Sequence, residues 1–69
     1  MQLRIRIVNR YGTFHCESAD AEDIDIETDK FRQLLTDVNA MSLPLNNGSR
    51  LILHKEMIKD SLFFIEPSQ

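Results

Sequence analysis

Sixty-nine residues fit one small domain, residues 1–69, and leave no room for a second core or a separate cofactor domain. Hydrophobic residues are 42% and charged residues 28%, an ordinary globular composition. The formal charge of −3 argues against general, sequence-independent nucleic-acid binding.

No apolar run approaches the roughly 18 residues that a membrane-spanning helix needs. The start, Met1-Gln2-Leu3-Arg4-Ile5-Arg6, alternates charge with apolar residues and does not read as the apolar centre of an export signal. A cytoplasmic protein is therefore expected. Cys16 is the lone cysteine, so no internal disulfide forms. Cys16, His15 and His54 fall short of a four-ligand zinc site, and no cofactor or metal is expected. A core of this size supplies roughly 3–5 kcal/mol. A second copy is the natural source of further burial, and a homodimer is expected.

Residues 2–8 read as a strand. Leu3, Ile5 and Ile7 share one face, and Arg4 and Arg6 share the other. Asn9 to Thr13 reads as a turn around Gly12, and Thr13 to Ser18 as the antiparallel return. Ser18 to Asp23 reads as an acidic loop. Ile24 and Ile26 alternate with acids, so residues 24–27 are either a short strand or a loop anchored by two isoleucines.

Thr28 suits a helix N-cap, with Asp29 just inside it. Phe31, Leu34, Leu35 and Val38 recur at helical spacing, which predicts a helix over about 29–40. Pro44 ends any helix. Ser42 to Asn46 and Ser49 to His54 then read as a hairpin about Asn47-Gly48. A two-residue loop sets Leu45 opposite Arg50; a three-residue loop sets Leu43 opposite Leu51. Lys55 to Asp60 reads as one helical turn. Ser61 to Glu66 reads as a last strand, apolar without alternation from Leu62 to Ile65. The expected class is α+β: one helix on a mostly antiparallel sheet of four to five short strands, in the order β-β-α-β-β-(short helical turn)-β.

The chemistry is sparse. Cys16 is the only cysteine nucleophile, and its sequence neighbour His15 points to the opposite face of a strand. No glycine-rich phosphate loop and no serine elbow is present. The acids between Asp20 and Asp29 lack the central glycine of a calcium loop. No catalytic constellation emerges, so a non-catalytic role is expected.

Charge is uneven. Arg4, Arg6 and Arg10 precede the first acid, and Glu17 to Asp37 is strongly acidic. These surfaces, with the apolar last strand, point to a small acidic binding or regulatory protein of the inhibitor, adaptor or accessory kind. Asp20, Glu22, Asp23, Asp25 and Glu27 would steer a basic or nucleic-acid-binding protein partner. Phe63 and Ile65 would anchor it. The alternative is an oligomer that holds an anionic, nucleotide-like small molecule through Arg4, Arg6, Arg10 and His15.

Overall fold

A central strand, β1 (Gln2–Asn9), organises the computed structural model, which describes residues 1–68. Its β-branched residues suit a pleated, packed surface. Ile7 is fully enclosed and Leu3 is buried, whereas Arg4 and Arg6 on the alternate face are half-buried. The chain turns at Arg10-Tyr11 and returns as β2 (Gly12–His15), with Asn9 opposite Gly12. Gly12 sits at φ +132°, and the Tyr11 amide donates to Asn9 Oδ1 at 2.8 Å.

The return strand is shorter than Thr13 to Ser18. After His15 it bends away, and a two-residue strand, β3 (Ala19–Asp20), regains the same edge of β1 near its start. On the other edge lies β6 (Leu62–Pro67), antiparallel, with Ile7 opposite Phe63 and Arg6 opposite Phe64. The expected acidic loop thus includes a strand, which raises the strand count to six.

The helix differs most from its sequence reading. α1 runs Ile24–Asp37, and its cap is Asp23, not Thr28. The Asp23 carboxylate accepts from the Asp25 amide at 2.7 Å. Asp25 and Glu27 occupy the first turn, where acids suit the positive helix end. Ile24 and Ile26 therefore belong to the helix, and their alternation with acids reflects its first turn. Thr28 lies one turn inside, its hydroxyl donating to the Ile24 carbonyl at 2.7 Å. The helix stops at Asp37 and Val38 is extended, short of the expected end near 40.

The second hairpin is a separate two-stranded sheet of β4 (Ala40–Pro44) and β5 (Arg50–His54). Leu43 stands opposite Leu51, the register of the three-residue loop. Asn46, Asn47 and Gly48 form that loop, with Gly48 at φ +90° and its amide donating to the Leu45 carbonyl at 3.1 Å. A turn followed by a left-handed residue is the usual three-residue hairpin. The short helix α2 (Lys55–Lys59) links β5 to β6.

The two sheets meet where the return strand bends. Cys16 bridges to Leu45, the Asn46 amide donates to the His15 carbonyl, and the Glu17 amide donates to the Pro44 carbonyl. The core lies between the sheets and the helix. Ile7, Cys16, Met41 and Leu53 form its buried centre, with Phe31, Leu35, Val38 and Phe63 packed around them. No residue of α1 is fully buried. The surface of 4894 Å² is about a tenth above the roughly 4450 Å² expected for this mass. The architecture is α+β, one main helix with two antiparallel sheets.

Candidate protein-binding face

The alternation of β1 sends Arg4, Arg6 and Val8 away from the core. The β1–β6 register adds Leu62, Phe64 and Glu66 to this outer face, and the β1–β2 register adds Thr13 and His15. Neither the helix nor the second hairpin packs against this face in the apolar cluster. Leu62 is 62% exposed and Phe64 39% exposed.

Glu66 organises the charges here. Arg6 Nε donates to Glu66 Oε1 at 3.1 Å, and Arg4 Nε lies 3.7 Å from the same oxygen. The Arg6 hydrogen bond, reinforced by both guanidinium charges, holds the Glu66 carboxyl below the usual carboxylate range. The Arg6 guanidinium also sits 4.2 Å above the Phe64 ring, a cation–π contact. The face is therefore an apolar strip, Val8, Leu62 and Phe64, beside two arginines that share one carboxylate and keep a net positive charge.

The expected arginine group is divided. Arg4, Arg6 and His15 share the outer face, but Arg10 sits at the hairpin turn, paired with Asp60 and near the Tyr11 ring. Glu66 already supplies a carboxylate to Arg4 and Arg6, the group that an anionic ligand would have brought.

The expected apolar anchors lie on the other side of β6. Phe63 packs edge-on to Phe31, with ring centroids 5.4 Å apart, and Ile65 stands opposite Ile5 on the core side. The exposed apolar residues of this strand are Leu62 and Phe64 instead. The acids collect at one end of the protein. Asp20 lies on β3, Glu22 in the link to the helix, Asp23 at the cap, and Asp25 and Glu27 in the first turn. Asp20, Glu22, Asp23 and Asp25 are exposed; Glu27 is half-buried, 3.4 Å from Lys30 Nζ.

Burial and the nearby Glu17 push the Cys16 thiol up, which keeps it protonated and a weak nucleophile. A cavity of about 230 Å³ borders it, walled in part by Leu3, Ile5, Leu43 and Ile65, and no histidine lines it. Among the described residues no group of three or more potential metal ligands comes together, and no helix is long and apolar enough to cross a membrane. Comparison with protein-family models, with curated proteins and with solved structures finds no match for this chain.

Proposed function

We propose that the protein is a small non-catalytic binding protein that docks another protein on the outer face of its first sheet. The observation that carries this reading is the uncovered pair Leu62 and Phe64, at 62% and 39% exposure, set beside two arginines that share the one carboxylate of Glu66. Interfaces are enriched in aromatic residues and arginine. Arg6 and Glu66 are already paired, so a partner covering this strip meets one net positive charge, that of Arg4.

The acids at Asp20, Glu22, Asp23 and Asp25 give the domain a charged end that accelerates approach of a basic partner without adding much to final affinity. Glu27 contributes less, being half-buried beside Lys30. The partner on this reading is apolar where it meets Phe64 and basic at its margin.

The test compares three baits in lysate of the cell that makes the protein: wild type, Leu62→Asp/Phe64→Asp, and Asp20→Lys/Glu22→Lys/Asp25→Lys. A protein held by wild type, lost by the first variant and captured more slowly by the second at low salt supports the reading. Equal capture by all three refutes it.

A further inference from the structure

We infer that β6 pairs with β6 of a second copy, antiparallel about a twofold axis at Phe64, to give one continuous sheet across a homodimer. The inference rests on the edge of the strand and does not depend on the outer-face reading.

The hydrogen-bond pattern shows which groups on β6 are free. In an antiparallel ladder, alternate residue pairs exchange both backbone bonds. The Ser68 amide donates to the Gln2 carbonyl at 3.0 Å, so residues 2 and 68 form such a pair. With Arg4 opposite Glu66, Arg6 opposite Phe64 and Val8 opposite Leu62, the even-numbered residues of β6 bond to β1. The other edge of β1 agrees, since the Cys16 amide donates to the Ile5 carbonyl and the Ala21 amide to the Met1 carbonyl. Odd-numbered β1 residues thus face β2 and β3, and even-numbered ones face β6. Phe63 and Ile65 therefore turn their N–H and C=O groups to the far edge. Among the described residues no partner for those groups appears.

The edge is accessible. A groove of about 380 Å³ runs between α1 and β6. Its helix wall is Thr28, Phe31, Arg32 and Leu35, one stripe, and its strand wall is the four consecutive residues 63–66. Consecutive residues of a strand line one groove together only along its edge, because their side chains alternate.

The remaining edges of the strands are better protected. The outer edge of β2 is short and is met at its end by the Asn46 amide on the His15 carbonyl, with the Glu17–Pro44 bond just beyond. β5 carries Arg50 and His54 at its ends, charges and polarity that blunt an edge. Glu66 and Pro67 close the end of β6, but over residues 62–65 it has no charge, no proline and no bulge. It is apolar on both faces, the composition of an interior strand.

The occupant is a second β6 because the inventory closes on itself. Pairing Phe63 with Ile65 of the other copy, and the reverse, engages both free N–H and both free C=O groups of each strand. A register shifted by two residues toward Pro67 pairs Phe63 with a residue that lacks an N–H. In the matching register Phe64 meets Phe64 of the second copy across the axis, in a non-hydrogen-bonded pair with Cα atoms about 4.5 Å apart. Phe63 and Ile65 lie side by side beneath the helices, in the groove.

Single-cysteine pairs test the register on the full chain. A non-hydrogen-bonded pair lies within the roughly 4.4–6.8 Å Cα range of a disulfide. Under diamide oxidation Phe64→Cys gives a covalent dimer of twice 8.0 kDa. Leu62→Cys and Glu66→Cys alone do not, but their mixture does. Wild type is the background, its Cys16 being buried. Amide exchange on unmodified protein gives a second readout that needs no variant. At high concentration the Phe63 and Ile65 amides are protected, and dilution releases them while Leu62, Phe64 and Glu66 hold. A folded Phe64→Cys chain that fails to cross-link, or edge amides that exchange freely at every concentration, overturns the pairing. Either failure leaves the bait comparison above unaffected.

Discussion

Replacing Asp23 with alanine isolates the step at which the helix begins. The carboxylate accepts the Asp25 amide at 2.7 Å, so alanine leaves a first-turn donor without its side-chain partner. Loss of such a cap costs about 1 kcal/mol, and the lost negative charge at the helix start contributes in the same direction. For a domain of this length, about 1 kcal/mol lowers Tm by about 4–8 °C. Thr28→Ala makes the opposite case. Thr28 is inside the helix, bonded back to the Ile24 carbonyl, and alanine is the better helix former there. Its effect stays within about 0.5 kcal/mol, in either direction. Thermal unfolding followed by circular dichroism at neutral pH separates the two. Asp23→Asn keeps an acceptor at the cap and restores much of the loss. A large drop for Thr28→Ala with none for Asp23→Ala would refute a helix beginning at Ile24.

Three further outcomes follow from the core and the titrating groups. Ile7→Ala, at the fully enclosed position, costs about 2–5 kcal/mol, comparable with the roughly 3–5 kcal/mol that such a core supplies. Chemical denaturation finds it largely unfolded, while the exposed Leu62→Ala stays near wild type. Glu66 has its carboxyl held down in the folded state, so its contribution is present above the ordinary glutamate value and is lost as pH falls through the folded one. The Tm difference between wild type and Glu66→Gln should therefore be largest near neutrality and vanish in acid; a gap that persists at low pH would contradict the ion contacts. Cys16, raised by burial, should react with a disulfide reagent at mildly alkaline pH far more slowly than the unfolded chain; equal rates would place it at the surface.

The sequence makes the period-2 strand at residues 2–8 legible because Ile and Arg alternate without interruption. The two turn glycines are equally plain, and both adopt positive φ. The helix start was hidden by chemistry that serves two states. Asp and Ile alternate at residues 23–26 as they would in a strand, yet the same aspartates cap and charge a first helical turn. In β6 the apolar run carries no alternation, so no periodicity tells Phe63 from Phe64. Only pairing with β1 decides which faces outward. Similarly, Arg4 and Arg6 announce a shared face, but their partner Glu66 is 60 residues from Arg6 along the chain and nothing local points to it.

Radical footprinting of the protein in its native complex, against the purified chain at the same concentration, tests the outer-face docking most directly. Docking there predicts that protection concentrates on Leu62 and Phe64, while Tyr11, 70% exposed at the first hairpin turn on the side of β5 and α2, labels equally in both samples. Protection at Tyr11 with Leu62 and Phe64 still fully labelled would contradict it.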